Sequence, residues 1–264
     1  MKLALVQMDV RNGDRRANLQ SISRRLKHVS ADLVVLPELA SSGYLFKNRR
    51  ALRKLAEYPS PGSPTYDLLF GLSRSTGAVI VAGFPEKDGS KIYNSAMVVG
   101  SKGLLGVYRK VHLFDREHLI FDPGDTGFKT WKVKGTTVGV MICFDWIFPE
   151  SARTLAMSGA QVIAHPANLV LPYFQDAAIT RALENRVFVA TANRIGTEEV
   201  GDQRLTFTGR SQLVSPRGEV VGRAPGKAPR TLLFEIDPLL AKDKMLTQRD
   251  HVLKRRRPGF YRLT

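Results

Sequence analysis

The run Val138-Gly139-Val140-Met141-Ile142-Cys143-Phe144-Asp145-Trp146-Ile147-Phe148-Pro149-Glu150 decides the fold class. Its first five residues are apolar and read as a buried strand. Pro149 stands where a helix favours proline, opening a helix over 150–158 that Gly159 closes. The next apolar stretch, 161–164, reads as another strand. The same alternation runs through the chain. Strands are predicted at 3–7, 33–36, 78–83, 95–99, 104–111, 137–142, 187–192, 212–214 and 231–236, and further helices at 15–28, 66–75 and 176–186. Near-continuous apolar strands alternating with helices imply a sheet covered on one or both faces. Ser215-Pro216-Arg217-Gly218, between Leu213-Val214 and Val220-Val221, marks a hairpin. The economical reading is one α/β domain over 1–238, of two-layer or sandwich type. Residues 239–264 are basic, with aromatics only at Phe260 and Tyr261, and would make a poor core. They are either frayed or docked on another surface.

The 264 residues are 43% hydrophobic and 24% charged, an ordinary globular composition. No apolar run approaches the ~20 residues of a membrane span. The N-terminus lacks a secretory apolar region and cleavage site, so a cytoplasmic protein is expected. A single cysteine excludes a disulfide framework and multi-cysteine metal centres. The formal charge of +16 raises the question of a nucleic-acid partner. Its basic groups (Arg15, Arg16, Arg24, Arg25 and Lys27; 47–54; 249–257) are dispersed and lack interleaved aromatics. They read as a solvated surface, with a nucleic-acid-associated protein as the rival class.

Cys143 falls at a strand end just before a helix, where α/β proteins place reactive groups. A small buried hydrophobe is the bland alternative. A thiol nucleophile needs a base or a nearby positive charge, and the spacing of the five histidines dictates no pairing with it. Two other strands end in chemically useful groups: Leu36-Pro37-Glu38 and Tyr108-Arg109-Lys110. A carboxylate, an ammonium and a thiol could thus meet at one rim of a sheet. Most lysines are simply exposed, which is the alternative for Lys110. His112 and His118 lack helical metal-ligand spacing and a thiol, so no metal site is expected.

Leu36-Pro37-Glu38, Tyr108-Arg109-Lys110-Val111-His112-Leu113 and Ile142-Cys143-Phe144-Asp145 resemble, in order, the three signature stretches of the nitrilase superfamily of carbon–nitrogen hydrolases. Gly43-Tyr44, Tyr93-Asn94-Ser95, Pro123-Gly124-Asp125, His165-Pro166-Ala167-Asn168 and Arg181-Ala182-Leu183-Glu184-Asn185 add to the likeness. Within the superfamily the chain is most similar to small nitrilases and amidases of thermophilic archaea. The resemblance implies a four-layer α-β-β-α sandwich that pairs into an eight-layer dimer through 150–158 and 176–186. It implies a Glu38–Lys110–Cys143 triad, Glu117 as a fourth member, and no metal or cofactor. It further implies a pocket containing Tyr44, Phe144, Trp146 and Asn168, with the Phe144 backbone N–H facing the oxyanion. A small aliphatic nitrile or amide is the expected substrate, and an N-carbamoyl amine or amino acid the alternative. Trp146-Ile147 stand where relatives acting on carbamoyl amino acids carry arginines, so a carboxylate clamp is absent there. Asp250, Arg256, Arg257, Pro258 and Tyr261 echo a family tail that extends over the neighbouring subunit.

Overall fold

A computed structural model describes residues 1–261. The first half contains β1 (Lys2–Gln7), α1 (Arg15–Leu26), β2 (Leu33–Val35), α2 (Arg49–Arg53), α3 (Pro64–Thr76), β3 (Val79–Asp88), β4 (Lys91–Gly100), β5 (Gly103–Arg109) and α4 (Glu117–Ile120). Then come β6 (Thr130–Val133), β7 (Thr136–Val140), α5 (Pro149–Met157), β8 (Val162–Ala167), α6 (Phe174–Asn185) and β9 (Phe188–Asn193). The chain continues with β10 (Thr197–Val200), β11 (Gln203–Thr206), β12 (Gln212–Val214), β13 (Val220–Arg223) and β14 (Arg230–Glu235). Two six-stranded sheets result, ordered β14-β1-β2-β3-β4-β5 and β13-β12-β9-β8-β7-β6; β10 and β11 pair as a separate hairpin. The inner strands are parallel, β1-β2-β3 in one sheet and β7-β8-β9 in the other. The outer strands run antiparallel.

Alternation of side chains along each strand builds the layers. Leu3, Leu5, Leu33, Val35, Val81, Ala96 and Val98 enter one apolar cluster with Val138, Val140 and other residues of the second sheet. Their neighbours Ala4, Val6, Val34, Ile80, Ala82, Met97 and Val99 enter another, with Ile22 and Leu26 of α1 and Leu69 and Leu72 of α3. On the far side Ala152 and Leu155 of α5 and Ala178 and Ala182 of α6 cover the second sheet. The order is therefore helices, sheet, sheet, helices: the four-layer α-β-β-α sandwich. Among the described residues no helix is long and apolar enough to cross a membrane.

The predicted elements are present with ends shifted by a few residues, and some were missed. β3 and β4 run on to a two-residue turn in which Asp88 faces Lys91 across Gly89-Ser90. A Gly-Ser pair between strands, with glycine at the first turn position, is a hairpin signal, so this turn could have been read. β6 and the β10–β11 hairpin are short, partly exposed and polar, and carry no continuous apolar run. Glu117 is buried and is the first residue of the short α4.

Residues beyond Asp237 begin on the body of the same subunit. Ala241 is fully buried, and Gln161 Nε2 donates to Pro238 O at 2.8 Å. Lys244 Nζ donates to Asn185 O (3.1 Å) and Arg186 O (2.7 Å), satisfying carbonyls at the end of α6. Phe260 and Tyr261 are exposed. The remainder of the predicted docking tail, Arg262, Leu263 and Thr264, lies outside the described residues.

Candidate active site

Just past β7 the backbone turns sharply, and Cys143 adopts a left-handed conformation with φ +41°. Residues with a side chain rarely do so unless their surroundings impose it. Asp145, fully buried, is the clamp. Its carboxylate accepts from Ile142 N–H (2.8 Å), Tyr108 Oη (2.6 Å) and His112 N–H (3.1 Å), with His112 Nδ1 at 2.8 Å. The carbonyl of Cys143 accepts from His165 Nε2 at 3.0 Å. Burial lowers the His165 pKa to about 4, so the ring is neutral at pH 7. With its one proton on Nε2, His165 Nδ1 accepts from Thr191 Oγ1 at 3.2 Å.

Glu38 is delivered by β2. The bend after this strand lies on β3, through Leu36 N–H to Val81 O (2.8 Å) and Gly83 N–H to Pro37 O (3.1 Å). A Cβ at Gly83 would come within 2.4 Å of Glu38 Cα, so only glycine admits the bend. Lys110 directly follows β5, and its N–H donates to Asn94 O at 2.8 Å. Its ammonium reaches Glu38 Oε1 at 2.7 Å and Glu117 Oε1 at 2.8 Å, all three side chains being buried. Asn94 Nδ2 adds a 2.7 Å bond to the same Glu38 oxygen. Glu38 Oε2 is buried and has no partner.

Two carboxylates share one ammonium here, and the electrostatics follow. Burial raises the Glu38 pKa against the pull of Lys110, with the Glu117 charge adding to the rise. Burial opposes charge on Lys110, but Glu117, Glu38 and Cys143 outweigh it and hold the ammonium charged. Burial, then the Glu38 charge, pushes the Cys143 thiol well above its ordinary pKa. Lys110 and a backbone hydrogen bond from Asn168 act the other way. At rest the site therefore holds a thiol beside a carboxylate of strengthened basicity. The free Glu38 oxygen can accept a proton, the sulfur can attack an electrophilic carbon, and the fixed ammonium can face the charge that develops.

Cys143, Phe144, Trp146 and Asn168 line one narrow cavity of about 20 Å³ with Phe114, Leu169, Val170 and Leu171. Both polar atoms of the Asn168 side chain are buried and unpartnered, in walls otherwise nearly all apolar. Tyr44 lies beside this group: its hydroxyl donates to Glu117 Oε1 at 2.7 Å. His112 stacks on Phe148 and His118 is exposed. Among the described residues no cluster of three His, Cys, Asp or Glu could hold a metal ion.

A family model described as carbon-nitrogen hydrolase matches residues 2–244. The chain belongs to the nitrilase superfamily of carbon–nitrogen hydrolases. The hydrolase is 45% identical to a protein named nitrilase from Pyrococcus abyssi, over 99% of each chain. It is 32% identical to the N-carbamoylputrescine amidase of Solanum lycopersicum, over 94% of this chain and 88% of that one. A solved mutant of an amidase from Nesterenkonia AN1, of the nitrilase superfamily, matches with TM-score 0.80 and 27% identity, over 92% of this chain and 93% of that one.

Of the residues singled out from sequence, Tyr44, Glu117, Lys110 and Glu38 are joined by hydrogen bonds, and Cys143, Phe144, Trp146 and Asn168 line one cavity; Glu38, Lys110 and Cys143 come from the ends of β2, β5 and β7. Sequence reasoning assigned no part to Asn94, Asp145, His165, Arg194 or Glu198. Asn94 and His165 stand within stretches that carry the family resemblance, and Asp145 follows two residues after the cysteine. Arg194 and Glu198 carried no sequence signal.

Proposed function

We propose that this hydrolase cleaves a small aliphatic amide or nitrile to its carboxylic acid and ammonia through a covalent intermediate on Cys143. The observation that carries the reading is the unpartnered, buried Oε2 of Glu38, whose other oxygen is committed to Lys110 and Asn94. Glu38 takes the thiol proton as sulfur adds to the substrate carbon. Lys110 and the Phe144 N–H face the developing oxyanion, each such donor contributing about 10²–10³ in rate. With an amide, the adduct collapses as Glu38 returns the proton to departing ammonia, leaving a thioester. Water, deprotonated by Glu38, then releases the acid and restores the thiol. A nitrile gives a thioimidate first, and one further water is consumed before ammonia departs. Glu117 orients Lys110 throughout.

The narrow, mostly apolar cavity favours a short acyl group. A structure of the Nesterenkonia amidase carries the acetamide moiety of fluoroacetamide on its active-site cysteine. A second reading, hydrolysis of an N-carbamoyl amine, is favoured by the free donor and acceptor of Asn168, which match a urea-like group. Intact-mass spectrometry after brief mixing with an amide, a nitrile and a carbamoyl amine separates them. An acyl mass absent from Cys143→Ala supports the first reading, and a carbamoyl mass the second. Turnover with no adduct under rapid acid quench, and equal turnover by Cys143→Ala, would sink both.

We further propose a homodimer formed through α5 and α6, which expose Met157 and Leu183, with Ile147 exposed just ahead of α5. In this assembly Phe260 and Tyr261 anchor the tail on the neighbouring subunit. Truncation after Leu253 spares the Lys244 bonds to α6. It is expected to weaken the dimer in sedimentation and lower the melting temperature by a few degrees. Unchanged mass and melting temperature would make the end of the tail a charged appendage.

A further inference from the structure

Tyr44 is gripped at both ends. Beyond the hydroxyl on Glu117, its backbone N–H donates to both carboxylate oxygens of Glu198, at 3.0 and 3.2 Å. The next N–H, of Leu45, donates to Glu198 Oε2 at 2.7 Å. Glu198 comes from β10, more than 150 residues along the chain, and its side chain is 2% exposed. A carboxylate withdrawn from water is costly unless it is paired and hydrogen-bonded. Arg194, fully buried, supplies the pair.

Arg194 is itself fixed. It donates to Val10 O at 2.5 Å, and its guanidinium lies 4.1 Å from the centroid of the Phe207 ring. That ring meets Tyr44 edge-on, with centroids 6.0 Å apart. Gly43 has φ +86°, and a Cβ there would lie 2.4 Å from Asn12 Oδ1 and 3.0 Å from Glu198 Oε1. Glycine thus lets the Tyr44 segment close on the carboxylate. The far end of the hairpin, at Asp202, Gln203, Arg204 and Leu205, walls a cleft of about 580 Å³ that also touches Tyr44 and Glu117.

We propose that Glu198, neutralised by Arg194, is a positioning residue for the reaction. It fixes the Tyr44 backbone so that the hydroxyl stays on Glu117 Oε1, the same oxygen that accepts from Lys110. The carboxylate thereby sets where the ammonium sits relative to Glu38 and Cys143. This inference rests on the roles assigned above to Lys110 and Glu117. A misplacement of about 1 Å at such a site costs on the order of 10²-fold in rate.

A double-mutant cycle tests it, using Glu198→Gln, Tyr44→Phe and the pair, with kcat and KM measured per mole of folded protein. Each single change is expected to lower kcat about ten- to a hundredfold, with KM altered far less. The pair should be no worse than the poorer single variant, since both act through one hydroxyl. Losses that multiply, or a lowered melting temperature with unchanged kcat, would overturn the proposal. If Glu198→Gln does not fold, Arg194→Lys replaces it in the cycle, because lysine keeps the charge but loses the planar stack and fork. Failure of both to fold would make the pair structural and also overturn it. Failure of the underlying mechanism is distinct: Cys143→Ala would then retain turnover.

Discussion

Cys143→Ala is expected to lose turnover by about 10⁴-fold or more, as removal of a covalent nucleophile does, while the folded protein keeps its melting temperature within a few degrees. The sulfur is small, and its loss opens little space in a cavity of about 20 Å³. Alanine also carries a Cβ, so the left-handed backbone at φ +41° is neither relieved nor further strained. The clamp by Asp145 and the His165 bond act on backbone and neighbours rather than on the thiol. Initial rates with a good amide or nitrile, beside thermal unfolding of both proteins, check both halves. Retention of more than a few per cent of activity would remove Cys143 as the nucleophile.

Lys110→Met is expected to harm both stability and catalysis. It leaves Glu38 and Glu117 buried without the cation they share, and stripping one partner from a buried ionic group costs about 3–5 kcal/mol. The sign of the pH dependence follows from Glu38, whose folded pKa is already raised by burial. Without Lys110 it rises further. Such a raised carboxylate destabilises the fold above its unfolded pKa of about 4.3 and ceases to do so below it. The stability gap between Lys110→Met and the parent should therefore be wide at pH 7 and narrow at pH 4. Urea unfolding at the two pH values measures it; an equal gap would mean that the carboxylates do not depend on the ammonium. Turnover should fall at least 10²–10³-fold through the missing oxyanion donor alone.

The strands that carry Glu38, Lys110 and Cys143 could be read because each is a largely apolar run that stops at a polar residue, buried throughout in β2 and β7 and partly exposed in β5. Periodicity of that kind is a local property, visible in five or six residues. What holds those side chains in place is not local. Asp145 works through Tyr108 and His112, and Glu198 through Tyr44, contacts that join distant parts of the chain. Glu198 sits in a polar hairpin whose sequence, Thr197-Glu198-Glu199-Val200, resembles any solvated edge, though only alternate positions face water. No pattern of hydrophobicity distinguishes its buried carboxylate from the exposed one beside it. The hairpin at Gly89-Ser90 is the opposite case, a local turn whose chemistry stood in the sequence.

The origin of the three central groups has a kinetic consequence. Glu38 and Lys110 extend from one sheet and Cys143 from the other, across the dry layer between them. Slippage of the sheets by a fraction of a strand spacing would leave every hydrogen-bonded ladder intact and yet scatter the reacting atoms. Activity is therefore expected to fall on heating before the far-ultraviolet circular dichroism does; coincident losses would show that the sheets part only as strands and helices melt.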